Sequence, residues 1–473
     1  MHKTQPPEHL EKPFAAQNHI RKTTGKDLQE MKQLFLKSIA SLCALCMLAG
    51  CAAPAPSPGA GGGAGANVSA GETDPATEMS EAGQTTSDTL HLVTDSQRGS
   101  DVSKGNENGY YYIDRGGDIT ANLRYIDYST AQDIYLSARP ESDHLTPDDK
   151  SYLSSVAGTG RVFPAGDKLF LLRAGAPSAA DTFGDDAMAA VFRMDPDGSN
   201  RTLLYQGGAD ERFGDTAAAD GHFLYLIGQR TETTGDAPVE KSYLLRMDGE
   251  SGQTETLCEL ADGAWFIGAA DGMLIFHSIS DIADDDSTPP MFGHKIFAYD
   301  VASGTLSVLQ TWQYEEYTEA WVYDDLLVTA SWTSRTVTLR RLREAEAFAA
   351  YPFANDIPAD HINFWFAGCT DGRFYFYVDT ALRTLDLATG EWGKMTLQYD
   401  DPEKMEPRPV QIYAETATQY LVLCDQQMTT RRYVNWDDHS VYALEALQPV
   451  FSLIAKEDYW NSVPNYRPVT FNE

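Results

Sequence analysis

At 473 residues the chain exceeds what one simple hydrophobic core organises, so it holds either several domains or one large repetitive fold. Aromatics at 11%, including 24 Tyr and 20 Phe, with Gly and Pro at short intervals, favour a repetitive all-β fold. A formal net charge of -33 argues against a nucleic-acid partner, whose phosphates must be neutralised by Lys and Arg, and against direct adhesion to anionic lipid.

Residues 1–30 are polar and read as an extension that does not belong to the functional chain, because Met31 opens a complete export signal of its own. The segment 31–50 carries two lysines, then an apolar run shorter than the ~20 residues that span a bilayer. It ends in Leu48-Ala49-Gly50-Cys51, which resembles the lipobox of bacterial lipoproteins. The resemblance implies that Cys51 takes a diacylglycerol on its sulfur and becomes the mature N-terminus. Residues 1–50 hold 7 Lys and Arg against 4 Asp and Glu, so the exported part carries -36 and the acidity belongs to it. From 51 to 89 the chain is Ala, Gly, Pro, Ser, Thr and acids. Such a segment buries too little apolar surface to offset its ordering entropy, and it reads as a tether.

From 90 to 473 one unit recurs: an apolar run, a tight turn, an aromatic run, a loop, a third run, a second turn and a fourth run. The clearest copy is AWFIGAADGMLIFHSI followed by HKIFAYDVASGTLSVLQTW, whose alternation is that of half-buried strands. Asp271-Gly272 and Ala302-Ser303-Gly304 are expected to be hairpin turns that need positive φ. First turns fall at Asn108-Gly109, Gly166-Asp167, Asp220-Gly221, Asp271-Gly272, Asp324-Asp325, Asp371-Gly372 and Thr418-Gln419. Four strands in roughly fifty residues predict a β-propeller of about seven four-stranded blades, each blade unable to bury both faces alone. The first and last copies are degenerate, which leaves six or eight blades open. An array of β-sandwiches is the competing reading.

The phrases VFRMDPDGSNRTLLYQG and YLLRMDGESGQTETL resemble TolB-like propeller repeats, and the exported domain is similar to lipid-anchored propeller proteins of Gram-positive gut bacteria. The tail SLIAKEDYWNSVPNYRP is similar to the closing stretch of that group. The resemblance implies a propeller and an envelope address, with no particular reaction. Where that group has cysteines, this chain has Ser137 and Ser142, so the resemblance carries no disulfide or metal role to this stretch, and His144 reads as a loop residue.

Catalytic signatures are missing: there is no GxSxG elbow, HExxH helix or GxxxxGK loop. His91, His144, His222, His277, His294, His361 and His439 share no ligand spacing, and each reads as structural or exposed. Cys258, Cys369 and Cys424 form no disulfide framework or zinc pattern; Cys369 and Cys424 read as buried thiols. Asp195 to Asn200, DPDGSN, lacks the downstream Glu of a calcium loop and reads as a hairpin turn.

Three successive connections on one propeller face are long: 174–190, 228–240 and 280–294. They carry Asp185, Asp186, Asp236, Asp281, Asp284, Asp285, Asp286 and Phe292 as candidate binding residues. These are either solvated loops whose acids keep the surface soluble, or a rim that binds a cationic partner or holds Ca²⁺, with no metal site assigned. Trp265, Trp321 and Trp365 fall in first-strand runs of three successive units. They either pack between blades or line the channel mouth, where rings stack on sugars.

The expected function is a lipid-anchored binding or scaffolding module on the outer face of the cytoplasmic membrane, engaging an extracellular protein, peptide or glycan through one face. The alternative is a carbohydrate-active lyase or hydrolase, which needs two acids facing each other across the channel. No cofactor is implied beyond the calcium alternative.

Overall fold

The computed structural model describes residues 89–471, apart from 96–101, 104, 116–119, 138, 140–141, 155–159, 177–183, 235–236, 282–291, 314–316, 359–363, 379, 403–405 and 435–439. The signal segment, Cys51 and the tether therefore lie outside the described residues.

Seven antiparallel sheets follow one another along the chain and stand in a ring as the blades of a β-propeller. Blade 4 shows the plan. Its strands Trp265–Ala270, Met273–Asp281, Phe292–Asp300 and Thr305–Gln313 are hydrogen-bonded in chain order from the channel outward. Blades 2, 3, 5, 6 and 7 repeat it, with innermost strands Arg161–Ala165, Glu211–Ala219, Thr318–Tyr323, Phe364–Thr370 and Gln411–Glu415. Blade 1 is built from Gly109–Arg115, Thr120–Asp127 and Gln132–Tyr135.

Turn chemistry explains the repeat. Asp271 and Gly272 have φ of 51° and 72°, and Asp371 and Gly372 have 51° and 70°, the left-handed pair that matches strand twist in a two-residue hairpin. A second device recurs between the third and fourth strands. The carboxylates of Asp248, Asp300 and Asp386 accept the N–H groups of Ser251, Ser303 and Thr389 at 2.7, 2.9 and 2.8 Å. A glycine at positive φ follows in each case, Gly252, Gly304 and Gly390. The Asx-type bond holds the turn and the glycine lets the chain reverse. DPDGSN is likewise a turn: Gly198 N–H donates to the Asp195 carbonyl at 2.8 Å, and the Asp195 carboxylate takes Lys168 and Asn200.

The core lies between blades rather than within them. Phe163, Phe170 and Leu172 of blade 2 meet Phe213, Leu224 and Leu245 of blade 3. Phe276 and Phe297 of blade 4 meet Tyr225 and Leu244 of blade 3, and Val328 and Leu339 of blade 5 meet Phe374 and Phe376 of blade 6. Each apolar face thus needs the next blade, and that is why the units close into a ring.

Two chain segments lock the ring. Arg467–Pro468 pairs with the third strand of blade 7, and Thr470–Phe471 then pairs in parallel with Gln132–Asp133 of blade 1. Arg467 donates to the carbonyls of Tyr128 and Ser129, while Phe471 covers the buried Arg124, which is paired with Asp133 at 2.9 Å. At the other end, His91–Leu92 pairs antiparallel with Ala218–Ala219 of the innermost strand of blade 3. Val93 N–H donates to the Ala217 carbonyl at 3.0 Å, and Ala217 N–H donates to the Thr94 hydroxyl at 2.6 Å. An N-terminal strand therefore occupies the central channel. It comes in at the end bearing the first turns, here termed lower, and runs toward the upper end.

Candidate functional site in the upper channel

The innermost strands of blades 4, 5 and 6 start at the upper end, and their first residues line one cavity of about 300 Å³. Pairing within each blade fixes the height of every side chain. Trp265 lies opposite His277, Glu319 opposite Ala330 and Trp365 opposite Tyr377, in each case the fifth residue of the second strand. Trp265, Glu319 and Trp365 therefore stand level, with the carboxylate on the blade between the two indoles. Trp321 is two residues below Glu319 on the same strand face and belongs to the floor. It is 6% exposed and packs edge-on against Phe366 at 5.7 Å, whereas Trp365 is 47% exposed and Tyr317 at the rim is 63% exposed. The three tryptophans singled out in the sequence thus share a cavity, but they do not hold equivalent positions.

The acid between them was not singled out. Among the described residues nothing hydrogen-bonds or ion-pairs with Glu319. Its side chain stays open to channel water, and partial desolvation by the apolar wall pushes its carboxyl up to about 7. His277 also lines the cavity. Its Nε2 lies 2.8 Å from Nδ1 of His294, with Trp265 against one ring and Trp312 stacked on the other. Burial first, and then the neighbouring His294, push His277 down to about 3, and burial lowers His294, so both rings are uncharged at neutral pH. The two histidines are distant in the sequence, and antiparallel register brings them together. Among the described residues that line the cavity, Glu319 is the one group that can carry a full charge near neutral pH.

The acidic connections differ from their expected form. The stretch 228–240, expected as a loop, is largely paired strand: Phe223–Thr234 and Ala237–Asp248 stay in register up to Thr234 opposite Ala237. Thr231, Thr233, Thr234 and Val239 are strand formers, and cross-strand contacts of Tyr243 and Lys241 with Glu232 at 2.6 and 3.7 Å hold the ribbon. Strand pairing likewise runs into 280–294 as far as Asp281 opposite Phe292. Asp236, Asp284, Asp285 and Asp286 lie outside the described residues, as do the Asp281 and Phe292 side chains.

Asp185 and Asp186 sit in a short 3₁₀ turn, Gly184–Ala187, and are exposed. Buried Arg173 holds that turn through the Asp186 carboxylate at 3.1 Å and the carbonyls of Asp185 and Met188 at 2.7 Å. Among the described residues no three His, Cys, Asp or Glu side chains converge as a metal site. A longer ribbon, Gln419–Val434 with Val441–Ala455, projects from blade 7 and was not anticipated. Its signal was present in the alternating TTRRYV and VYALEAL runs.

His144 lies in a loop, as expected. It is buried, stacks on Tyr135 at 3.8 Å and meets the Asp149 carboxylate at 3.0 Å. Burial pushes the Asp149 carboxyl up, but hydrogen bonds from Ser151, Ser137 and Ser142 more than offset this and bring it down to about 2. Cys369 and Cys424, expected to be buried, are half-buried and form no disulfide, as is the case for Cys258.

No family model matches the chain, and no curated relative matches it. Solved structures resemble it at low identity. An oligogalacturonate lyase in complex with manganese is 14% identical, with 79% of this chain and 92% of that chain covered, at a TM-score of 0.43. The acylaminoacyl peptidase of Pyrococcus horikoshii is 12% identical, with 78% and 54% covered, at 0.39; this chain spans about half of that protein. Hsv2 of Kluyveromyces lactis is 8% identical, with 71% and 96% covered, at 0.37. The likeness is one of fold, and the chemistry of the upper chamber has to be read from its own residues.

Proposed function

We propose that the chain is a cell-surface binding or scaffolding module, anchored by lipid at Cys51, whose upper chamber holds part of an extracellular protein, peptide or glycan. The observation that carries this is the level set of Trp265, Glu319 and Trp365 above a Trp321 floor. A concave, ring-lined cavity with few polar groups is the ordinary form of a ligand site, and about 300 Å³ lies at the small end of that class. The Leu48–Cys51 motif supports the anchor.

A glycan lyase or hydrolase remains the second reading, because a carboxyl held near neutral pH suits a general acid. That chemistry needs a second carboxylate about 5–9 Å away. Among the described residues lining the chamber Glu319 has no such companion. Tryptophan fluorescence and thermal-shift titration of the purified protein against glycans and peptides test the binding reading. A response lost in Trp365→Ala supports it, and turnover of a glycan that depends on Glu319 moves the function to the enzyme. No response from a cooperatively melting protein points to a scaffold with a membrane-embedded partner.

A further inference from the structure

Resting on the binding reading of the same chamber, we infer that its ligand presents an organic ammonium group, seated between Trp265 and Trp365 and facing Glu319. Three observations converge on this class. Indole faces carry negative quadrupole and attract cations within about 6 Å of the ring, most strongly where water is thinned. Trp265 and Trp365 flank the acid at one height, Tyr317 stands at the rim and Trp321 closes the floor. Glu319 has no cationic partner among the described residues, so the one ionisable carboxyl they bring to the cavity has no counter-charge among them. A cation from outside would supply it.

Among the described residues the other ionisable neighbours do not compete. Blade 4 offers His277, which its burial against His294 keeps uncharged, and blade 5 adds the Tyr317 phenol on the approach to Glu319. Among the described residues blade 6 contributes Phe364, Trp365 and Phe366, none of them ionisable. An inorganic cation would find one carboxylate and no other oxygen-rich shell among these residues, whereas an alkylated ammonium needs only rings and a single counter-charge. The acidic chain, at -33, also steers cations inward and anions away. A neutral sugar would gain from the rings but would leave the desolvated carboxyl without a charge to meet.

With its carboxyl pushed up to about 7, Glu319 is only partly ionised near neutral pH, and an incoming ammonium displaces the remaining proton, so binding is coupled to proton release and strengthens with rising pH. Choline and its neutral carbon isostere 3,3-dimethylbutan-1-ol are the probes, titrated by tryptophan fluorescence and by calorimetry in two buffers of different ionisation enthalpy. Choline should bind about tenfold or more tighter than the isostere, and about tenfold tighter at pH 8 than at pH 5.5, because only the ionised fraction is competent. Glu319→Gln should remove both preferences while the melting transition stays cooperative, and Glu319→Asp should keep the pH dependence.

Equal affinity for the isostere would overturn the ammonium assignment and leave an apolar binding site. A folded protein that ignores choline but binds a neutral glycan, lost in Trp365→Ala, would overturn it with the binding reading intact. A choline response unchanged by both Glu319→Gln and Trp365→Ala would place the cation elsewhere and sink the assignment to this chamber.

Discussion

The two halves of the central channel are nearly equal in size, about 300 and 340 Å³, and opposite in how their polar groups are treated. In the lower half the chain's own N-terminal segment, Leu90 to Leu92, forms part of the wall. Of the two acids there, Asp324 and Glu415, the second accepts the Thr370 hydroxyl at 2.7 Å and the Lys456 ammonium at 3.2 Å. In the upper half Glu319 faces rings alone among the described residues. Trp321 is common to both, wall of one and floor of the other. One scaffold thus contains a finished site and an unfinished one. A carboxylate with its partners in place is architecture, and one left among aromatic rings is a vacancy in the chemistry that a ligand can complete.

The comparison breaks most violently at the shared ring. Trp321→Ala should cost about 3–5 kcal/mol, read by denaturant unfolding, because the cavity it leaves joins both chambers and strips Phe366 and Phe374 of their contact. A loss below about 1 kcal/mol would mean that the floor is not part of the core. Deleting the chain through residue 95 should cost about 2 kcal/mol. It exposes the faces now covered by Leu92 and Val93 and the edge at Ala217, offset in part by the entropy the segment regains. It should leave ligand binding above unchanged, and an equal loss of both would show that the halves are coupled.

A pH scan sharpens the contrast next. His277 stays neutral in the folded state while its unfolded counterpart takes a proton below about 6.5. The unfolded state then binds more protons, so the melting temperature should fall as pH drops from about 6.5 toward 3. Replacing His277 by Phe should flatten that slope. The smallest effect belongs to Trp365→Ala, within about 0.5 kcal/mol of wild-type stability, since much of that ring already faces water.

How far the sequence reveals this depends on the element. The first turns are legible from Asp-Gly and its variants: Asp271-Gly272 and Asp371-Gly372 form the left-handed pair, whereas at Asn108-Gly109 and Thr418-Gln419 the second residue already begins a strand, and about seven blades follow from their spacing. Trp265 and Trp365 are legible as aromatics in corresponding runs, six residues before Asp271 and Asp371. Glu319 is not, and the reason is a bulge. The innermost strands of blades 4 and 6 each slip register, between Phe266 and Gly268 and between Phe366 and Gly368, whereas blade 5 does not. Blade 5 therefore needs one residue fewer, and the level position is five before Asp324, where Glu319 stands. Aligning the tryptophans instead places Trp321 too high. The His277–His294 contact and the N-terminal channel strand depend on pairing at a distance, which no local pattern announces. The ribbon at 228–240 was hidden by its polarity, since Thr and Glu read as loop until cross-strand partners are known.

The channel strand has a mechanical consequence. It lies antiparallel to the innermost strand of blade 3 and comes in from the lower end, so a pull on the N-terminal side acts along the strand axis. The bonds at Val93 and Thr94 and the paired backbone of His91 and Leu92 are then loaded together in shear, not unzipped one after another. Tension reaches the ring through its most buried layer, at the innermost strand of blade 3.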